Sequence, residues 1–121
     1  MMSYERWRHA LLDVAREAAS REFQQEAWLS GRPSTSSPTE IYCQLFDAYT
    51  FDLFFETYCK TFSAQQLIAW GEFREQLERF GNKYTEFPNE QIVFDDPDWQ
   101  LVRWAAARFV TAFESKKSRA P

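Results

Sequence analysis

The sequence predicts an all-α protein, a single-domain bundle of four to five helices. Only 3 of the 121 residues are glycine and 5 are proline, whereas residues with high helix propensity, such as alanine, leucine and glutamate, are frequent. Apolar side chains recur at three- and four-residue spacing over several stretches, and helix-capping sequences separate these stretches. The length is close to the commonest domain size and suffices for one hydrophobic core without disulfides or metal.

Residues 38–62 are expected to organise the core, because eight of these side chains are aromatic. They are Tyr42, Phe46, Tyr49, Phe51, Phe54, Phe55, Tyr58 and Phe62. Burial of one aromatic side chain removes roughly 150–250 Å² from water. We therefore expect the flanking helices to pack against this segment.

The N-terminal region is predicted as one long helix from about Tyr4 to Leu29. Ser3 is a suitable N-cap, and Gly31 can end the helix. Two apolar rows run along it: Tyr4, Trp7, Leu11, Val14 and Ala18 form the first, and Leu12, Ala15, Ala19, Phe23 and Ala27 form the second. Residues 30–38 are predicted to be a polar loop.

A second helix is predicted to begin at Pro38. Ser37 can cap it, and the proline fits the first helical position. We expect a break near Tyr49 and Thr50, after which Thr50 caps a short helix that runs through Phe62. The alternative is one continuous, bent helix from Pro38.

A third signal is the capping box formed by Ser63 and Gln66. It predicts a helix whose apolar residues run at three- to four-residue spacing to Phe80. Gly81 and Asn82 are predicted to end that helix. The following residues lack a helical period up to residue 95.

The last part of the chain is predicted as a short extended segment from Gln91 to Phe94 and then a final helix. Asp96 caps this helix and Pro97 takes its first position. Its buried stripe is predicted to consist of Leu101, Val102, Ala105, Phe109, Ala112 and Phe113, with Trp104 near the edge. The domain is predicted to span residues 1–115, followed by a flexible basic tail at residues 116–121.

The net charge of −4 is unevenly distributed. Residues 1–37 carry five basic and five acidic side chains. Residues 38–98 carry twelve acidic and four basic side chains, a net −8, and residues 99–121 carry five basic and one acidic, a net +4. The middle of the chain is therefore expected to repel a phosphate backbone and to attract a basic partner, which argues against nucleic-acid binding.

The sequence contains none of the familiar catalytic or metal-binding patterns. His9 is the only histidine, and there is no Cys-x-x-Cys, no Glu-x-x-His and no glycine-rich phosphate loop. A long uncharged apolar run is also absent. We therefore predict a protein that is not an enzyme, with no catalytic residue, no metal, no cofactor and no membrane span.

Two cysteines, Cys43 and Cys59, lie on predicted helices within the aromatic segment. Their apolar neighbourhood predicts that both are reduced and mostly buried. The N-terminus carries charges throughout, which is unlike a secretory signal. Together these observations predict a cytoplasmic protein.

Surplus aromatic surface next to surplus negative charge suits a basic protein partner. The side chains expected to stay partly exposed are Tyr42, Tyr49, Phe51, Phe55, Tyr58 and Tyr84. The alternative interpretation is that each of these side chains simply belongs to an aromatic-rich core. From this set and its acidic neighbours we predict a partner-binding site formed by Asp47, Tyr49, Asp52, Phe55 and Glu56.

Three stretches carry a resemblance to a known class of proteins: REFQQEAWLSGRPSTSSPTEIYCQLFDAYTFDLFFE, the helix that follows Ser63, and DDPDWQLVRWAAARFVTAF. In layout the chain resembles the small acidic all-helical immunity proteins of bacterial toxin–immunity systems, including contact-dependent inhibition. The resemblance implies a protein that binds a cognate toxin domain and blocks it, often by covering the active site of a nuclease with acidic residues.

The leading hypothesis is therefore a non-enzymatic inhibitor that neutralises a basic toxin domain through its acidic and aromatic middle. The alternative is a small helical regulatory or scaffolding protein that forms a homodimer through the same aromatics. A third hypothesis is a small hydrolase whose site follows no familiar pattern.

Overall fold

The computed structural model describes residues 2–114, which form seven α-helices and no β-strand. The helices are α1 (Tyr4–Ala19), α2 (Arg21–Leu29), α3 (Pro38–Cys43), α4 (Phe51–Tyr58), α5 (Ala64–Lys83), α6 (Glu90–Asp95) and α7 (Pro97–Glu114). A π-helical turn (Gln44–Ala48) follows α3, and a 3₁₀ turn (Cys59–Thr61) follows α4. The all-α prediction is confirmed. The predicted number of four to five helices is too low, because the first helix is divided and α6 is additional.

The predicted long helix from Tyr4 to Leu29 is wrong, because the chain breaks at Ser20. Ser20 has extended backbone angles, and its hydroxyl accepts a hydrogen bond from the Phe23 N–H at 3.0 Å. It therefore acts as the N-cap of α2. The turn leaves Phe23 exposed and buries Gln24. Phe23, a predicted member of the second apolar row, is therefore at the surface, and a polar residue takes its place in the core.

The break predicted near Tyr49 and Thr50 is confirmed, and the single bent helix is excluded. At the end of the π-helical turn the Tyr49 N–H donates to the Gln44 carbonyl at 2.8 Å, a five-residue spacing. Thr50 then adopts a left-handed conformation with φ +43°, which β-branched residues rarely do. Thr50 precedes α4 as predicted, but its side chain makes no capping hydrogen bond.

The capping box of α5 is confirmed: Ser63 accepts from the Gln66 N–H at 3.1 Å, and the Gln66 side chain accepts from the Ser63 N–H at 2.9 Å. The predicted end at Gly81 and Asn82 is wrong, since α5 continues to Lys83. Gly81 lies inside the helix against the Tyr42 ring, and a Cβ there would lie 3.3 Å from that ring. The glycine therefore permits close packing between α5 and α3.

The extended segment predicted from Gln91 to Phe94 is also wrong, because these residues belong to α6. Asn89 is its N-cap and accepts from the Ile92 N–H at 3.1 Å. The predicted start of α7 is confirmed, since the Asp96 side chain accepts from the Asp98 N–H at 2.9 Å. Six residues suffice for α6 because Val93 and Phe94 are buried against the rest of the protein.

The buried apolar side chains form one continuous cluster, with α7 packed between α1 and α5. The largest fully buried members are Trp99, Phe51, Phe54, Phe73, Phe80, Phe109, Phe113, Leu11, Leu12, Ile41, Leu45 and Leu77. On α7 the predicted buried stripe is largely confirmed, although Leu101 is only half-buried. Trp104 is exposed, as its position near the edge of the stripe predicts.

Both cysteines are free thiols, but the prediction that both are mostly buried is wrong. Cys43 is exposed and Cys59 is half-buried. Cys43 is the last residue of α3, and its side chain lies in a surface cleft near Tyr84 and Phe87. The predicted flexible tail at residues 116–121 lies outside the described residues. None of the helices described combines the length and apolar character that crossing a membrane requires.

Candidate functional site

Helix α4 is amphipathic, with one face in the core and the other at the surface. Phe51 and Phe54 point into the core and are fully buried. Leu53 lies on the opposite face with 48% of its surface exposed, and Glu56, one turn later, is also exposed. Asp47, in the preceding π-helical turn, is exposed as well. An apolar side chain therefore lies on the outer face of α4, with carboxylates in the same helix and in the turn before it.

The predicted site residue Asp52 is engaged within the fold. Its two carboxylate oxygens accept from Arg74 on α5, at 2.8 Å from Nε and 3.3 Å from Nη2. The hydrogen bond that Arg74 donates to the Asp52 carboxylate is the main reason that the pKa of Arg74 is raised. Arg74 also donates to Glu78 at 2.9 Å. Because its charge is already paired with a bidentate guanidinium, Asp52 contributes little free negative potential.

Phe55, another predicted site residue, faces the same α4–α5 seam. Its ring stacks on Trp70 with the centroids 4.1 Å apart, and Phe51 stacks on Trp70 at 5.1 Å with an interplanar angle of 9°. Phe55 is half-buried. Phe55 therefore contributes to the contact between α4 and α5 and remains partly accessible at the surface.

Tyr49 lies on the other side of α4, beside α1. Its carbonyl accepts from Trp7 Nε1 at 2.6 Å, which ties the end of the π-helical turn to α1. A surface hollow of about 290 Å³, here called the Thr50 hollow, is lined by Met2, Trp7, Ala48, Tyr49, Thr50 and Leu53. Thr50, with its left-handed backbone, lies between the π-helical turn and α4 and lines this hollow. A residue held in this sparsely populated conformation is a common feature of functional sites.

The five predicted site residues therefore do not form one uniform patch. Asp52 and Phe55 line the seam with α5, whereas Tyr49 lines the Thr50 hollow. Asp47 and Glu56 are exposed and make no ion pair within residues 2–114. We define the acidic surface as Asp47, Tyr49, Leu53 and Glu56: Tyr49 and Leu53 line the hollow, and Asp47 and Glu56 are exposed residues of the π-helical turn and of α4.

Leu53 and Met2 are the residues that sequence reasoning missed. Both are exposed, and both line the Thr50 hollow. A sequence signal for Leu53 existed: it lies two residues after the buried Phe51 and three before Glu56, on the polar side of the α4 helix. No local signal identifies Met2, because its role depends on where α1 lies relative to α4.

Of the six aromatics expected to stay partly exposed, five do and one does not. Tyr42, Tyr49, Phe55, Tyr58 and Tyr84 are half-buried. Phe51 is fully buried, and the prediction for it is wrong because its ring meets Trp70, Phe73 and Phe109. The Tyr42 hydroxyl donates to the Leu77 carbonyl at 2.7 Å, and burial raises the pKa of that hydroxyl.

The single histidine and the exposed cysteine Cys43 lie at different surface depressions. His9 is exposed on α1, with Nε2 4.0 Å from the Glu5 carboxylate. It borders a surface depression together with Arg6 and Asp13, whereas Cys43 borders the cleft near Phe87. Across residues 2–114, no group of three or more histidine, cysteine, aspartate or glutamate side chains is arranged to hold a metal ion.

Comparison with known proteins adds no family assignment: no family model, curated protein or solved structure shows significant similarity to this chain.

Proposed function

We propose that this protein is a non-enzymatic inhibitor that binds a basic protein partner through the acidic surface. The observation that carries the proposal is the exposed Leu53 with the carboxylates of Asp47 and Glu56, which have no ion-pair partner in the described chain. Interfaces of this kind combine a central apolar anchor with charges at the rim.

The contrast with the paired carboxylates, together with the exposed Leu53 on the same helix as Glu56, supports this choice of surface. Asp52 and Glu78 are held by Arg74, and Asp96 and Asp98 are held by Lys83. Such paired carboxylates attract a distant cation weakly. Unpaired and exposed carboxylates act over a Debye length of about 8 Å at physiological ionic strength, so they steer a basic partner during its approach.

The resemblance in sequence layout to bacterial immunity proteins suggests the kind of partner. We propose a cytoplasmic immunity protein whose partner is a cognate toxin domain with a basic surface, such as a nuclease domain. The apolar Thr50 hollow then receives an apolar side chain of the toxin, while Asp47 and Glu56 face its cationic groups. Binding alone blocks the toxin, and no residue of this chain acts chemically on it.

The test begins with capture of partners from the source cell on the tagged protein, followed by purification of any captured protein. Association and dissociation rates are then measured by surface plasmon resonance over a salt series. Glu56→Lys is compared with Glu86→Lys, a matched charge reversal at an exposed carboxylate that also makes no ion pair within residues 2–114. Leu53→Ala and Tyr49→Ala test the apolar anchor.

We expect a basic partner whose association rate falls for Glu56→Lys at low salt and recovers as salt rises, with Glu86→Lys close to wild type. Leu53→Ala is expected to raise the dissociation rate about thirtyfold, the effect of losing about 2 kcal/mol at a central anchor. Co-expression must also protect cells from the captured toxin. The proposal fails if no protein partner is captured, or if Glu56→Lys and Glu86→Lys affect association equally.

A further inference from the structure

The face formed by α5 and α7 carries a second exposed apolar region, separate from the acidic surface. A trough of about 300 Å³ runs between the two helices, lined by Gln65, Ile68, Ala69, Glu72, Ala107, Arg108 and Thr111. Ile68 is 65% exposed and Trp104 is 54% exposed, the two highest values among the large apolar side chains described. Both side chains lie on the α5–α7 face, and large apolar side chains exposed on one face of a protein are a common feature of interaction surfaces.

The residues of the trough have a simple order. The Gln66 side chain reaches the Ala112 carbonyl at 3.2 Å, and Glu72 meets Arg108 at 3.1 Å, so α5 and α7 run antiparallel. Ile68 lies one turn before Glu72 on α5. Trp104 lies one turn before Arg108 on α7. The ion pair therefore lies at the middle of the face, with Ile68 towards one end and Trp104 towards the other.

The charges of the trough point to an occupant that is different from a basic toxin. Glu72 and Arg108 neutralise each other across the trough. A strongly charged partner gains nothing from this face, whereas the acidic surface attracts it. Two copies of an acidic chain repel each other least where the approaching faces are locally neutral.

We propose that the α5–α7 trough is the interface between two copies of this chain. A two-fold axis along the trough exchanges α5 with α7, as an isologous interface requires. Glu72 of each copy then faces Arg108 of the other, and Ile68 faces the small side chains Ala107 and Thr111. Trp104 covers the part of the other copy's α5 that follows Glu72.

This dimer differs from one formed through the aromatic middle of the chain. None of the trough residues belongs to the acidic surface, so each copy keeps Asp47, Leu53 and Glu56 free. A dimer therefore presents two acidic surfaces. The inference does not depend on the proposed inhibitory function, and it predicts self-association of the purified protein without any partner.

The experiment is sedimentation velocity on the purified full-length chain over a concentration series. Arg108→Glu and Glu72→Arg are each examined alone and then as an equimolar mixture, with circular dichroism to confirm folding. Lys60→Glu is the matched control, because Lys60 is exposed and lies outside the trough. Trp104→Ala tests the apolar contribution without altering any charge.

We expect the wild type and Lys60→Glu to dimerise, and each trough charge variant to be monomeric alone. Their mixture regains the dimer, because the Glu72→Arg copy presents two cations and the Arg108→Glu copy presents two carboxylates. The two-fold arrangement then brings opposite charges together at both contacts. Trp104→Ala is expected to raise the dimer dissociation constant roughly thirtyfold, equivalent to about 2 kcal/mol.

Three results overturn the inference. The first is a wild-type chain that stays monomeric at every concentration. The second is a dimer that survives both Arg108→Glu and Trp104→Ala. The third is a mixture of the two charge variants that remains monomeric, since the two-fold pairing requires complementation. If the wild type is monomeric and Trp104→Ala weakens capture of a toxin, the occupant of the trough is that toxin.

Discussion

Two fully buried regions of this protein are stabilised in different ways. The first, here called the aromatic layer, consists of Phe51, Phe73, Phe109 and Phe113, whose ring centroids follow one another at 4.6 to 5.7 Å. The side chains of this layer contain no polar atom, so its contribution to the stability of the fold depends on the volume of the rings and on their contacts. An apolar side chain of similar size retains most of that stability.

The second region, here called the polar cluster, is formed around Gln24, which is 0% exposed. The Gln24 amide nitrogen donates to the carbonyls of Glu17 and Ala18, each at 2.8 Å. Its amide oxygen accepts from Trp99 Nε1 at 3.0 Å and from Arg103 Nε at 2.8 Å. Every hydrogen-bonding position of this one side chain is used, and it joins α2 to α7.

Arg103 adds further buried hydrogen-bond donors to the polar cluster. It is 2% exposed, and its other donors reach the Gln100 side chain and the Phe94 carbonyl, both at 2.8 Å. Burial lowers the pKa of the Arg103 guanidinium to about 10, and the nearby charge of Arg21 acts in the same direction. The aromatic layer therefore depends on volume, whereas the polar cluster depends on complete pairing of its hydrogen-bonding groups.

The largest effect is expected from a cavity in the aromatic layer. Phe109→Ala should lower the free energy of unfolding by about 3–5 kcal/mol, because the surrounding rings cannot close the space. Trp104→Ala, at an exposed position on the same helix, should cost less than about 1 kcal/mol. Urea titration at low protein concentration measures both, and the reverse order would mean that the faces of α7 are misassigned.

A substitution that keeps the side-chain volume but removes hydrogen bonds should destabilise the polar cluster more than the aromatic layer. Gln24→Leu should cost about 2–4 kcal/mol, because it leaves Trp99 Nε1 and Arg103 Nε buried without an acceptor. Phe109→Leu in the aromatic layer keeps an apolar side chain, although a smaller one, and should cost less than Gln24→Leu, about 1–2 kcal/mol. The exposed neighbour provides a control: Gln25→Leu should stay within about 0.5 kcal/mol of wild type. Equal costs at Gln24 and Phe109 would remove the distinction.

Acid should weaken polar contacts and leave the aromatic layer unchanged. Asp96 is 8% exposed and accepts from Lys83 Nζ at 2.7 Å, the Tyr84 hydroxyl at 2.6 Å and the Asp98 N–H at 2.9 Å. Burial acts to raise the pKa of Asp96, but the hydrogen bonds from Lys83 and Tyr84, with that from the Asp98 backbone, outweigh it and lower the pKa.

The lowered pKa of Asp96 sets the direction of the pH effect. A carboxylate with a lowered pKa stabilises the fold above its unfolded pKa of about 3.9, and this stabilisation is lost as the pH falls through the folded value. Asp96→Asn should therefore flatten the acid limb of stability against pH, measured by urea titration. The exposed neighbour variant Asp95→Asn should keep the wild-type slope. An unchanged slope in Asp96→Asn would show that other carboxylates govern acid unfolding.

The smallest effects concern two glycines of α5. Gly71→Ala should raise the free energy of unfolding by about 0.5–1 kcal/mol, because alanine favours helix and an added Cβ meets no atom within 4 Å. Gly81→Ala should gain less or lose slightly, since its Cβ would lie 3.3 Å from the Tyr42 ring. Thermal melting of the two variants side by side measures the difference, and equal gains would show that Tyr42 moves freely.

Features that depend on residues close together in the chain can be read from the sequence. The caps at Ser37 and Ser63 and the start of α7 at Pro97 involve contacts within a few residues, so they are visible without a fold. The same holds for the all-α class and for the exposed position of Trp104, which follow from composition and helical period.

Features that depend on distant partners emerge only when the helices pack. The break at Ser20 places Gln24 next to Trp99 and Arg103, which lie more than seventy residues away in sequence. In the same way, the charge of Asp52 is paired with an arginine on another helix. Helix α5 continues past Gly81 because it packs against α3. Local patterns cannot predict these outcomes, because burial and pairing compete with propensity only after the helices have packed together.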